Sequence, residues 1–189
     1  MNILVTGGAG FIGSHLIDRL LKEGSSVICV DDLSLGNLKN LETCSQSKDF
    51  KFIELDLNEK LELNKIFSYS KIDMVYHMAA NSDISKGTES TFTDLERTFL
   101  TTFNVIDCMK DNGVKRIFFP STSAVYGDID GKIAEESTKN PVSLYGSAKL
   151  SSEAFLQAYS YLFDMQVWVL RLANVIGPRT THGVIFDFI

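Results

Sequence analysis

Short apolar runs alternate with longer amphipathic stretches along the whole chain. The apolar runs predict strands at about 2–6, 26–31, 50–54, 73–78, 115–121 and 166–173. Apolar residues recurring three and four apart predict helices over about 11–23, 60–68, 90–112 and 144–163, with a shorter helix or loop at 34–46. Runs such as Met74-Val75-Tyr76 and Ile117-Phe118-Phe119 are continuously apolar, as in strands covered on both faces. Strands alternating with helices predict a parallel sheet with right-handed crossovers. Pro120, Pro141 and Pro178 mark a strand end and two loops. No internal repeat or low-complexity segment interrupts the pattern.

The first turn is rich in glycine. Ile3-Leu4-Val5 runs into Thr6-Gly7-Gly8-Ala9-Gly10-Phe11-Ile12-Gly13, and a helical pattern begins at once. Glycine has no Cβ, so such a turn brings bare backbone close to a phosphate. The helix N-terminus then offers free N–H groups and a positive dipole end to a pyrophosphate. Gly13 lets the helix pack closely on the strand. The second strand ends in Asp31, about 20 residues on, where a carboxylate accepts from both hydroxyls of an adenine ribose. The same charge repels a 2′-phosphate, so NAD is favoured over NADP. The bland alternative is that Asp31 and Asp32 form a solvated turn. The strand–turn–helix context argues against it, and the fold expected is α/β: a Rossmann-type doubly wound parallel sheet in three α/β/α layers.

Composition narrows the field. The 189 residues suit one domain, and 44% hydrophobic with 22% charged residues is ordinary for a globular protein. A net charge of −6 argues against nucleic acid as a partner. No apolar run approaches the ~18 residues of a membrane span, so no membrane partner is expected. The strand beginning at the first methionine leaves no room for a signal peptide, and the three scattered cysteines suit a reduced compartment, so a cytoplasmic location is expected. None of Cys29, Cys44 and Cys108 has metal-ligand spacing, so no metal is expected.

Ligands of such sheets sit beyond the carboxyl ends of the strands. Asp56-Leu57 follows the third strand; the carboxylate could meet an adenine amino group or cap the helix near Asn58, and spacing does not choose. The fourth strand ends in His77-Met78-Ala79-Ala80, whose small residues let a diphosphate and ribose lie close. His77 reads as a packing residue. The fifth strand ends in Ser121-Thr122-Ser123. Downstream, Tyr145 and Lys149 stand four apart on one helix face. A tyrosine of pKa about 10 is a poor base at pH 7. A neighbouring ammonium is expected to lower that pKa. Tyr145 could then take a proton from a substrate hydroxyl held in line by Thr122. YxxxK alone also describes a packed tyrosine beside a solvated lysine. Beyond a nucleotide turn and an acidic ribose clamp, the functional reading prevails.

These motifs resemble the extended short-chain dehydrogenase/reductase family, in its nucleotide-sugar epimerase/dehydratase branch. The matching segments are Thr6 to Gly13, Asp31 to Gly36, Asp56-Leu57, His77 to Ala80, Ser121 to Gly127, Tyr145 to Lys149 and Arg171 to Pro178. The helix before the fifth strand departs from the family's N-x-x-G-T, carrying Thr98-Phe99-Leu100-Thr101-Thr102. The resemblance implies catalysis by Thr122, Tyr145 and Lys149. It implies an NAD site formed by Gly7, Gly10, Phe11, Ile12, Gly13, Asp31, Asp32, Ser34, Asp56, Leu57, Ala79 and Ala80, with Tyr145 and Lys149. Substrate would meet Thr122, Ser123, Tyr145 and Asn174. The family's 4,6-dehydratases place Asp-Glu directly after the catalytic threonine, whereas this chain has Ser123-Ala124. The resemblance therefore implies NAD-dependent epimerisation of a nucleotide sugar, with a UDP-sugar of the glucose/galactose pair foremost; the alternatives are another nucleotide-sugar reductase, dehydratase or decarboxylase of the same family, or a truncated, non-catalytic NAD-binding module. It also implies residues 1–177 as the NAD-binding domain, 178–189 as the start of a substrate-binding portion, and a homodimer built from helices 90–112 and 144–163.

Overall fold

The computed structural model describes residues 1–180, with the side chains of all of them except 84–86. Strands β1 (Asn2–Thr6), β2 (Ser26–Asp31), β3 (Phe50–Glu54), β4 (Met74–His77), β5 (Arg116–Thr122) and β6 (Gln166–Leu172) form one sheet in the order β3-β2-β1-β4-β5-β6. Every pairing is parallel. Helices α1 (Phe11–Lys22), α2 (Lys60–Tyr69), α3 (Ile84–Glu89), α4 (Phe92–Asp94), α5 (Thr101–Asp111) and α6 (Leu144–Phe163) connect them.

Alternation along the strands divides the core in two. Ile3 and Val5 of β1, with Val27 and Cys29 of β2, pack under Ile17 and Leu20 of α1. Leu4 and Val30 face the other way, onto Leu63 and Phe67 of α2, Val105 and Ile106 of α5 and Leu156 of α6. The period-two division makes the three layers. The strand order reverses between β1 and β4. A crevice opens there beyond the strand ends.

Segment 34–46, expected as a shorter helix or loop, is a loop with a short 3-10 turn, Leu38–Leu41. Two other expectations change in the structure. The helix expected over 90–112 is divided: α3 and α4 precede a π-helical turn, Leu95–Leu100, before α5 begins. Threonines mark the widened turn. Thr101 Oγ1 donates to Arg97 O (2.9 Å) and Thr102 Oγ1 donates to Thr98 O (2.6 Å). Such back-bonding bends helices. Pro120 lies within β5 rather than at its end. Pairing with β4 stops at Phe118, so the missing N–H breaks no ladder bond on that side.

Candidate active site

The glycine turn is fixed by geometry only glycine meets. Gly7 has φ +65°, and a Cβ there would stand 2.5 Å from the Ala79 nitrogen. A Cβ on Gly13 would stand 2.4 Å from the Gly7 oxygen, so α1 could not lie as close to the turn. Gly10 is the N-cap of α1 and has no side chain to accept from the first N–H groups, and the first turn carries no acidic residue. Those donors stay available to an anion. This cradle fits a dinucleotide diphosphate.

Asp31 is buried at the end of β2. Its Oδ2 accepts from Ala9 N and its Oδ1 from Leu33 N, each at 2.9 Å. Burial pushes its carboxyl up against the downward pull of those two bonds. Each oxygen keeps a lone pair for a ribose hydroxyl. Asp56 Oδ1 accepts from Asn58 N (2.8 Å), closing a local turn, while α2 begins only at Lys60 with Glu59 as its N-cap. Asp56 thus does not cap the helix and remains on the cleft wall.

At the other end of the crevice, Thr122 caps a 3-10 turn, Ser123–Tyr126, and its Oγ1 accepts from Ala124 N at 3.1 Å. That bond uses the oxygen and leaves the hydroxyl proton to be directed into the cleft. Lys149 Nζ donates to the Pro120 carbonyl at 2.8 Å. The same nitrogen lies 4.4 Å from the Phe119 ring centroid and 5.9 Å from that of Tyr145. Behind it, Glu153 is bound by Arg171 Nη2 at 2.6 Å and by the Ser121 hydroxyl. These bonds tie α6 to the ends of β5 and β6.

The ionisation expected of Tyr145 is corrected by the structure. Burial, then the charge of Asp94, pushes its phenol up to about 12 rather than down. Lys149 is itself desolvated and lowered to about 7, with Glu153 pulling it back up. An ammonium whose own charge is disfavoured by burial cannot by itself draw the phenol down. Positive charge brought in beside the phenol would be needed. His77 matches its reading as a packing residue. It is fully buried, and desolvation lowers its pKa to about 3. Its Nδ1 lies 2.7 Å from Thr6 Oγ1 and its Nε2 3.0 Å from Thr102 Oγ1. Among the described residues no cluster of His, Cys, Asp or Glu could hold a metal.

The residues proposed from the sequence come together. Gly7, Gly10, Phe11, Ile12, Gly13, Asp31, Asp32, Ser34, Asp56, Leu57, Ala79, Ala80, Thr122, Ser123, Tyr145, Lys149 and Asn174 all contribute to the wall of one cleft. Arg97 and Thr101 join them from the π turn and the start of α5; Thr101 falls in the segment that departs from the family's N-x-x-G-T, and no periodicity or motif pointed to Arg97. Residues 181–189, the greater part of the expected substrate portion, lie outside the described residues.

A doubly wound parallel sheet with a glycine cradle, an acidic strand end and a Thr–Tyr–Lys cluster defines a dinucleotide-dependent enzyme domain. The chain belongs to the NAD dependent epimerase/dehydratase family, whose model matches residues 3–189. The cofactor of this family is NAD. The chain is 39% identical to UDP-arabinose 4-epimerase 1 of Arabidopsis thaliana over 181 residues, covering 93% of this chain and 43% of that protein. The structure of UDP-glucose 4-epimerase from Thermotoga maritima with UDP-glucose superposes with a TM-score of 0.93 at 34% identity, covering 100% of this chain and 62% of that one. The Thermus thermophilus UDP-glucose 4-epimerase complex with NAD gives a TM-score of 0.89 at 34% identity, covering 97% of this chain and 58% of that one. The chain therefore spans between about two fifths and three fifths of the length of these relatives.

Proposed function

We propose that the protein is an NAD-dependent nucleotide-sugar 4-epimerase acting on a UDP-sugar, with the glucose/galactose pair foremost. The observation that carries this reading is the convergence of Thr122, Tyr145 and Lys149 on the cleft that also holds the glycine cradle and Asp31. The similar proteins named above are 4-epimerases of UDP-sugars, which supports the substrate class. The residues after Thr122 are Ser123 and Ala124, neither of which can act as the extra acid that sugar dehydration requires.

When bound, NAD⁺ supplies an acceptor for the hydride of the sugar carbinol carbon and a donor that returns it to the opposite face of the ketone. Tyr145 is raised to about 12 in the chain alone; with the positive charge of NAD⁺ beside it favouring the phenolate, its Oη would take the proton of the C4 hydroxyl and give it back. Thr122 directs its hydroxyl proton to the same oxygen and fixes its position. Lys149 is anchored by the Pro120 carbonyl with its nitrogen 5.9 Å from the Tyr145 ring, where its charged form would add to the pull on the phenol. Asp31 holds the adenine ribose and disfavours a 2′-phosphate. Asn174 stands on the cleft wall where the sugar nucleotide would enter.

The reading extends to the whole molecule. Residues 1–177 would form the NAD-binding unit and 178–189 the start of a substrate-binding portion. We infer a cytoplasmic protein, supported by three buried free cysteines and by the lack of any membrane-crossing helix among the described residues. We infer a homodimer through the outer faces of the two helices flanking the cleft.

The test is interconversion of UDP-galactose and UDP-glucose with added NAD⁺. Turnover is expected to fall by roughly 10²–10⁴ in Tyr145→Phe, the usual weight of a general acid–base group. Protein that binds NAD⁺ yet converts no UDP- or dTDP-sugar would overturn the proposal. Bound NADH whose fluorescence ignores sugar nucleotides would mark a cofactor-binding module instead.

A further inference from the structure

Electrostatics of the cleft leave one role unassigned. A dinucleotide diphosphate brings two negative charges to the first turn of α1. The basic residues of that helix, Arg19 and Lys22, lie at its far end. The wall around the cradle carries the carboxylates of Asp31, Asp32 and Asp56. Backbone N–H groups alone would face this accumulation of negative charge. Among the side chains that the structure describes, the cationic ones on the cleft wall are Lys149 and Arg97. Lys149 is 2% exposed and bound to the Pro120 carbonyl at the Tyr145 end. Arg97 keeps 44% of its side chain exposed.

The π turn puts Arg97 there. Asp94, the N-cap of the turn, and Thr98 within it are buried and tied to Asn81: Asn81 Nδ2 donates to Asp94 Oδ1 (2.9 Å) and Asn81 N donates to Thr98 Oγ1 (3.1 Å). Those anchors set the rotation of the turn. Arg97 is left facing the cleft, with Thr101 lining it four residues on. Its nearest acid is Asp32, with Nη1 3.9 Å from Oδ2, too long for a direct hydrogen bond. Asp32 Oδ1 is already engaged by the nitrogen and hydroxyl of Ser34. The guanidinium therefore keeps donors for another anion, in the planar fork that suits phosphate oxygens.

We infer that Arg97 is a cofactor-binding residue that clamps the diphosphate of NAD against the glycine cradle from the opposite wall. The inference rests on the NAD cleft but not on which sugar is epimerised. Because epimerisation returns the hydride from the same cofactor molecule, the clamp serves to retain the dinucleotide through the cycle.

The test is NAD⁺ binding by titration calorimetry at low and high ionic strength, on wild-type protein and on Arg97→Gln, Arg97→Lys and Asp32→Asn. Arg97→Gln should weaken binding roughly 10–100-fold, as expected for a lost charge-assisted bond. It should also flatten the salt dependence, while Arg97→Lys recovers part of both. Unchanged affinity in Arg97→Gln overturns the inference while leaving the NAD cleft standing. So does a loss with unchanged salt dependence that Asp32→Asn reproduces, because Arg97 would then act only by holding Asp32. Wild-type protein that binds no NAD⁺ overturns the cleft itself and this inference with it.

Discussion

At the scale of single residues, the proposed ribose contact makes Asp31 the position at which cofactor choice is tested. Both its oxygens are already oriented by Ala9 N and Leu33 N, so the carboxylate is held in place before a ribose arrives. Asp31→Ala removes two charge-assisted acceptors and the charge that opposes a 2′-phosphate. NAD⁺ affinity should drop by at least roughly 10–100-fold, the ~1.5–3 kcal/mol that one bond to a charged group is worth. NADP⁺ affinity should change far less or rise. Parallel titrations with the two dinucleotides check this, and an equal loss for both would deny Asp31 its selective role. Gly7 and Gly13 act at the same scale by leaving out atoms, since a Cβ at either would strike backbone rather than a side chain able to move aside.

At the scale of elements, His77 joins β4 to β1 and α5. Thr102 gives its own proton to Thr98 O, so it accepts from His77 Nε2–H, and Nδ1 is left to accept from Thr6. Thr102→Val would leave the Nε2–H buried without a partner, costing about 1–3 kcal/mol in urea unfolding. The ring also makes stability depend on pH. Its pKa is lowered to about 3 in the folded chain, against an ordinary 6.5, so below pH 6.5 the unfolded chain binds a proton that the folded chain refuses. Stability should fall as pH drops from 6.5 towards 5, before the carboxylates begin to titrate. His77→Gln should be less stable at pH 7 but flatter across that window; equal slopes would assign the acid sensitivity to other groups. The elements legible in the sequence were those with a strong local signal. The strand–glycine–helix opening and the strand ends of β4 and β5 announce themselves in consecutive residues. The division of the helix expected over 90–112 did not. Its π turn depends on Asn81 and on threonine back-bonding, and both are compatible with an unbroken apolar periodicity. Arg97 was missed for the same reason, because its direction is set by that turn. The Tyr145 phenol was misjudged because spacing shows the neighbouring ammonium but not the burial that outweighs it.

At the scale of the molecule, α6 is apolar on two sides. Ala148, Ser152 and Leu156 are buried against the domain. Ala154, Phe155, Ala158 and Leu162 form an exposed stripe at helical spacing on another side. Phe155 meets Phe99 edge-on at 5.0 Å and Phe103 at 6.1 Å, so the stripe continues across to the π turn and α5. Leu95 and Phe92 add exposed apolar surface at the near end of that element. A patch spread over two adjacent helices is larger than scattered surface apolars and suits a self-complementary contact, where each helix pair meets its copy across a two-fold axis. Leu162 is 65% exposed, so a charge there should change the stability of one subunit by less than about 0.5 kcal/mol. Placed in the middle of a dimer contact, the same charge would be desolvated opposite its own copy. Leu162→Lys should therefore shift sedimentation from dimer to monomer at micromolar concentration while leaving NAD⁺ binding intact, since the cleft lies at the strand ends and draws no residue from this stripe. A variant that still sediments as a dimer would move the interface elsewhere, and wild-type protein that is monomeric throughout would remove it.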